Sequence, residues 1–277
     1  MAETVIVYRA QGEAFSLLES LRRFLHYRET LVTFVLRDLK VRYKQTLLGV
    51  LWAVIPPLML MVVFNVIFSR FARMPSEGIP YPIFAYSALL PWTFFASSVA
   101  AGANSLTGNY GVISKIYFPR EVLPWAAVLG SGADFLIGLV IFFALMVFYH
   151  VPPTAYALLL PPLLGIQLVY AGGIALIAAA FNVYYRDVRH GLPLLLQLWL
   201  YATPIVYPLS VVPAHLRLAY FAVNPMAGLI DSYRRVLVRG LAPDLVAVGV
   251  SAVVAFVTFA VCYRVFKRLE REFADVM

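Results

Sequence analysis

Few ionisable or nucleophilic side chains of this 277-residue chain stand at spacings that would support chemistry. The nearest approach to a phosphate-cradling loop is GANSLTGNY, residues 102–110. It places five residues between its glycines where four are needed, and Asn109 stands where a lysine must reach the phosphates. Small residues that let helices pack closely and a turn form are the simpler account. The four histidines, His26, His150, His190 and His215, fall in separate loops, a geometry unsuited to sharing one metal ion. No serine, threonine or cysteine is flanked by a base at a spacing that suits nucleophilic catalysis. Asp134 is the one acidic residue expected inside an apolar span, where a carboxylate is costly and by default marks a proton or cation site. The run Gly130-Ser131-Gly132-Ala133 before it offers a second role, a small-residue bend from which Asp134 hydrogen-bonds a neighbouring helix.

Two loops combine charge with aromatic side chains. Residues 111–124, GVISKIYFPREVLP, set Tyr117 and Phe118 between Lys115 and the pair Arg120-Glu121. Exposed aromatics framed by charges make an interface hot spot; aromatics anchored at a membrane surface are the alternative. Residues 182–193, NVYYRDVRHGLP, alternate Arg186, Asp187 and Arg189 on a short polar segment, either a second docking element or a solvated loop. Aromatic residues make up 15% of the chain. Among them Tyr86, Trp92, Phe95, Tyr201 and Tyr207 are candidates for a surface on which flat sugar-ring faces stack, against the competing account of an interfacial aromatic belt.

The elements that would position these residues are set by a membrane. The chain is 62% hydrophobic and 13% charged, with a mean hydropathy of +0.83, whereas a water-soluble globule carries roughly 25% charged residues. Its net charge of +8 fits cations gathered beside membrane spans, not a nucleic-acid partner. The single Cys262 has no intramolecular disulfide partner. The start of the chain lacks the apolar core of a signal peptide and is expected to stay in the cytoplasm. On a helix over residues 31–44, Thr33, Arg37, Lys40 and Lys44 form one stripe and Val32, Val35, Leu36, Leu39 and Tyr43 another, the pattern of a helix lying in the headgroup layer. Six apolar stretches follow, 47–68, 82–104, 123–149, 155–181, 192–209 and 245–266, each long enough to cross a hydrocarbon core of roughly 30 Å.

The expected fold is therefore an all-α membrane protein: a cytoplasmic segment 1–46 with the amphipathic interfacial helix, then a six-span domain 47–277. Placing both termini inside puts 16 of the 22 Lys and Arg on the cytoplasmic side, in keeping with the positive-inside bias. The long connection before the last span reads as two short helices near 214–222 and 226–238, broken at Asn224-Pro225. Too short and too charged to cross, they are expected to dip into the outer leaflet and pack on the spans.

The stretch RDLKVRYKQTLLGVLWAVIPPL, the loop YFPREVLP, the loop YYRDVRH and the late Asn224-Pro225, in this order, resemble the membrane-spanning subunit of ABC-2 type polysaccharide exporters over nearly the whole chain. The resemblance implies export of a lipid-linked polysaccharide, of O-antigen, capsular or teichoic-acid type, across the cytoplasmic membrane. It implies a second copy of the chain and two copies of a separate nucleotide-binding subunit that holds ATP and Mg, with no cofactor on this chain and no nucleic acid. Arg37, Lys40 and Arg42 would attract the pyrophosphate head of the lipid-linked substrate beside the interfacial helix. Lys115, Tyr117, Phe118, Arg120 and Glu121 would form the main ATPase-coupling element, with Arg186, Asp187 and Arg189 the second. Other lipid or small-molecule exporters share the superfamily. A membrane-embedded sugar transferase would need a cluster of carboxylates or histidines that the chain does not offer, and a proton-driven carrier would rest on Asp134 alone.

Overall fold

The computed structural model describes residues 27–44, 48–116 and 118–273. Most of the expected N-terminal segment, His26 among it, and Tyr117 of the first docking loop lie outside the described residues. All regular structure among the described residues is helical. Helix α1, Arg28–Lys44, is followed by α2, Leu51–Phe64, which continues through π-helical turns to Phe71. The expected first span began at residue 47. The helix starts later because a turn over 48–50, with Gly49 at φ +51°, redirects the chain between α1 and α2.

Helix α3, Tyr81–Gly108, is the centre of the bundle and is buried along most of its length. It packs against α5, Val122–Phe148, and α6, Leu160–Tyr184, with the short α4, Tyr110–Ile113, between α3 and α5. The stretch read above as a poor phosphate loop is the end of α3 and its turn. A Cβ at Gly102 would stand 2.6 Å from that of Ala175, so glycine sets the closeness of α3 to α6. The last helix, α10, Leu245–Leu269, runs along α6, capped at its start by Asp244. Among the described residues, five helical segments are long and apolar enough to cross a membrane: Leu51–Phe71, Tyr81–Gly108, Val122–Phe148, Ala155–Tyr184 and Leu245–Glu272.

The stretch expected as a span at 192–209 takes a different form. Helix α7 covers only Val188–Tyr201, 14 residues, a rise of about 21 Å, and turns occupy 202–208. Pro204 and Pro208 withhold backbone donors there, which ends the helix. The turns still reach the far end of α3, where the Tyr81 hydroxyl donates to the Val206 carbonyl at 2.9 Å. Two short helices follow, α8 over Arg217–Val223 and α9 over Pro225–Arg234, meeting at Asn224-Pro225. Every residue of α9 is buried. Asn224, at the tip, accepts from Trp199 Nε1 at 3.0 Å and donates to Thr203 Oγ1 at 2.9 Å.

One side chain satisfies the non-helical backbone beside α9. Arg234 is 1% exposed, and its guanidinium donates to the carbonyls of Pro204 (2.6 Å), Ile205, Tyr207 (3.3 Å) and Phe84 (3.4 Å). It also lies 3.7 Å from the centroid of the Phe84 ring. By sign it belonged with the outside surface cations; it is instead an internal brace. Replacing Arg234 with Met should orphan several buried carbonyls, at about 1–3 kcal/mol each. Arg234→Lys should recover little, because one ammonium cannot reproduce the planar fork. Thermal unfolding of the detergent-solubilised protein is expected to show a lowered midpoint for both variants, with Tyr81→Phe much closer to the parent.

Candidate functional site

The residues predicted for lipid-head entry and for ATPase coupling gather at the bundle end that carries α1. A cluster there joins Leu31 and Phe34 of α1, Phe118 and Val122 at the start of α5, and Tyr263, Phe266 and Phe273 of the C-terminal segment. Phe118 is 6% exposed and its ring centroid lies 5.4 Å from that of Phe34. The expectation of an exposed Phe118 is thereby corrected: a ring two residues before Arg120 enters the apolar space between α1 and α5 instead of facing outward. The exposed tip of the loop is Ser114, Lys115 and Ile116.

Glu121 is corrected in the same way. Its carboxylate is 1% exposed, accepts from the Tyr263 hydroxyl at 3.0 Å and forms an ion pair with Lys267. Burial pushes the Glu121 carboxyl up, against the pull of the Lys267 ammonium and the Tyr263 hydroxyl. Lys267 also meets Glu270 at 2.8 Å. Arg120 is half-buried, its backbone N–H donating to Glu270 Oε1 at 3.1 Å and its guanidinium to the Glu270 carbonyl at 3.0 Å. The second loop meets the same turn through the Tyr184 hydroxyl, 3.1 Å from the Leu269 carbonyl. Beyond it Tyr185, Arg186, Asp187, Arg189 and His190 are exposed. The two loops thus expose charged tips above roots fastened to the end of α10.

The cations expected to meet a lipid head divide. Arg37 Nη2 lies 2.7 Å from Asn109 Oδ1 and 2.7 Å from Asp38, which ties α1 to the turn after α3. Arg42 pairs with Asp134, and the Tyr43 hydroxyl donates to the same carboxylate. Burial first, then the bond to Asp134, pushes the Tyr43 phenol up to about 12. Asp134 therefore anchors another helix, one of the two roles open to it, though from a continuous helix and not a bend. Its partners were not legible, since Arg42 and Tyr43 are about 90 residues away in sequence. Lys40 is exposed, and with Leu36, Leu39, Tyr43 and Lys44 it lines an open groove on α1. Val32 and Leu36 of the apolar stripe stay exposed on α1, while Leu31 and Phe34 are the residues it buries against the bundle.

The candidate channel aromatics also divide. Tyr86, Trp92 and Phe95 are fully buried inside the bundle of one chain: Tyr86 stacks on Phe142, and Phe95 stacks on Tyr170 and meets Trp199 edge-on. Their assignment as lining residues is corrected, because aromatic pairing holds them as core. Tyr201 is exposed, and the Tyr207 hydroxyl shares a hydrogen bond with Tyr220 at 3.2 Å. Sequence reasoning missed Arg234, Tyr263, Lys267 and Glu270. The only signal for the last three was a cluster of charge at the end of an apolar helix, which also reads as positive-inside bias.

The ABC-2 type transporter family pattern matches residues 29–238, a span that covers α1 from its second residue, both loops and Arg234. The chain is 33% identical over 261 residues, 94% of its length and 99% of the relative's, to the O-antigen export system permease protein RfbA of Myxococcus xanthus. It is 30% identical over 250 residues to the protein of that name from Klebsiella pneumoniae, covering 90% of this chain and 95% of the relative. It is 21% identical over 246 residues to the polysialic acid transport protein KpsM of Escherichia coli, covering 87% and 93%.

Phe118 and Lys115 separate packing from surface. Phe118→Ala is expected to destabilise the folded chain by about 3–5 kcal/mol, the usual cost of truncating a buried phenylalanine. Lys115→Ala should stay within about 0.5 kcal/mol of the parent. Denaturation monitored by tryptophan fluorescence in detergent measures both.

Proposed function

The chain belongs to the ABC-2 type transporter family, and from that premise we propose that it is the membrane-spanning permease of an ATP-driven polysaccharide exporter whose cargo is a lipid-linked glycan of O-antigen type. The similarity to O-antigen export permeases over nearly the full length of both chains carries this reading. The chain is a transport component and not an enzyme, and ATP is hydrolysed on a separate subunit. Two copies of this chain and two of the ATPase subunit form the working assembly in the inner membrane, with both termini in the cytoplasm.

Geometry supports that orientation. Leu31 and Phe34 near the start of the described chain share one cluster with Phe273 near its end, which supports an even number of passages between them. With five long apolar helices among the described residues, the sixth passage is α7 together with the turns 202–208, whose backbone Arg234 satisfies. Non-helical backbone at depth is tolerable where protein covers it. The hairpin of α8 and α9 then lies on the outer side, as a gate between the fifth and sixth passages. The exposed tips Ser114–Ile116 and Tyr185–His190 face the cytoplasm and meet the ATPase subunits. The pyrophosphate head of the cargo approaches the groove on α1, where Lys40 and Lys44 are exposed, while Arg42 is engaged by Asp134. That engagement also weakens the proton-carrier alternative, since the one carboxylate it needed already holds a cation.

Depletion of this chain in its host should cause lipid-linked polysaccharide to accumulate on the cytoplasmic side, and re-expression should clear it. The purified chain should hydrolyse no ATP until its ATPase subunit is added. Lys115→Glu combined with Arg186→Glu should leave folding unchanged and lower export severalfold, roughly 1 kcal/mol of lost docking. Accumulation of a different lipid on depletion would reassign the cargo.

A further inference from the structure

The end of α10 holds the roots of both loops at once. On one side are Glu121 with Lys267 and Tyr263, and Arg120 with Glu270. On the other, the Tyr184 hydroxyl donates to the Leu269 carbonyl and lies 3.3 Å from Glu272 Oε2. Phe273, fully buried, fills the space between them, its ring centroid 5.9 Å from both Tyr184 and Phe266. Arg120 extends over the same Phe273 ring at 5.6 Å. A first loop that served only as a connection would not need an ionic centre in which Glu121 is almost wholly buried, because a buried charge is costly to assemble and costly to strand; the second loop is fastened to the adjoining residues Leu269 and Glu272.

At its other end α10 meets the outer hairpin closely. A Cβ at Gly228 of α9 would stand 2.9 Å from the Ala247 carbonyl oxygen, leaving the two helices no room to separate by a side chain. Between these ends α10 is 25 residues of continuous helix without proline. A rigid helix fixed at both ends transmits displacement along its length, since packed helices move as bodies more readily than they bend.

We propose that the last turns of α10, through Lys267, Glu270 and the carbonyl of Leu269, form a knot that makes the two loops move as one body and carries that movement along α10 to the gate helix α9. Lys267 is a positioning residue: it touches neither cargo nor nucleotide. This rests on the reading that both loops face the ATPase subunits. The knot converts two separate pushes into one displacement, and α10 delivers it to the far side of the membrane.

The test uses the full chain assembled with its ATPase subunit in liposomes. Lys267→Met alone leaves Glu121 buried without its cation, so the informative variant is Glu121→Gln with Lys267→Met, which keeps shape and removes both charges. Hydrogen–deuterium exchange over residues 111–116 and 184–190 should rise together by about tenfold, as expected for a shared local opening. Polysaccharide exported per ATP hydrolysed should fall about fivefold while hydrolysis continues. Tyr184→Phe, which removes one hydroxyl, should loosen only 184–190 and still lower the export ratio. The knot is overturned if the double variant loosens one stretch or neither, or if either variant exports at the parent's ratio. If the parent complex hydrolyses ATP and moves no polysaccharide, the functional reading fails, and the exchange result still decides whether the loops are joined.

Discussion

A backbone carbonyl inside a membrane protein must find a donor within the protein, and the arrangement of this chain follows from how the segment 202–208 meets that demand. Four carbonyls around α9 converge on the guanidinium of Arg234. Without those donors the turns after α7 could not lie against α3, and the chain would need a full-length helix where Pro204 and Pro208 forbid one. Arg234 can sit there because Phe84 offers its ring face and because arginine is weakly hydrated for a cation, which lowers the cost of removing it from water. The packing of the turns 202–208 beside α9 depends on that one side chain, while the two prolines set the shortness of α7 and Gly228 the closeness of α9 to α10.

The opposite end of the bundle meets a different demand with different chemistry. It must remain attached to the spans while presenting polar tips, and it does so with ion pairs graded by burial. Glu121 is nearly sealed beside a partly exposed Lys267, Arg42 with Asp134 is more open, and Arg37 with Asp38 is more open still. Open pairs contribute little, roughly 0–1 kcal/mol, so α1 is held chiefly by Leu31, Phe34 and Arg37 stacked over the Phe34 ring. The Glu121 pair behaves differently, since displacing Lys267 strands a buried carboxylate. The end therefore combines a lightly held interfacial helix with a firmly held pair of loops.

These differences decide what could be read from the sequence. The long spans were legible because apolar runs of sufficient length have no other stable outcome, and the break at Asn224-Pro225 was legible because the restriction before proline is local. The clustering of chemistry-bearing residues at the end bearing α1 followed from the same spans. What was not legible depended on partners distant in sequence. Asp134 found Arg42 across 92 residues, and Arg120 found Glu270 across 150. Phe118 looked exposed because charges flank it, yet the apolar neighbour that buries it, Phe34, lies far away in sequence on α1. Arg234 was hidden most thoroughly: next to Arg235 it reads as surface charge, and only the carbonyls freed by two prolines 26 and 30 residues earlier give it a reason to be inside.

The contrast between the two ends bears on how a permease could open without unfolding. Opening must disturb some contacts and spare others. Contacts made by one multivalent donor to several carbonyls, as at Arg234, are lost together or kept together, so the turns 202–208 and α9 shift as a unit or not at all. The hairpin tip is tied more lightly, by Trp199 and Thr203 to Asn224, and neutral hydrogen bonds of this kind contribute about 1 kcal/mol each. The weaker ties lie at the tip and the stronger ones at the top of α9. A displacement arriving along α10 at Gly228 would therefore carry α9 and the turns together and first break the contact of Asn224 with Trp199 of α7. The proline that follows Asn224 removes a backbone donor at that point, so the tip gives up no main-chain hydrogen bond from Pro225 when it moves.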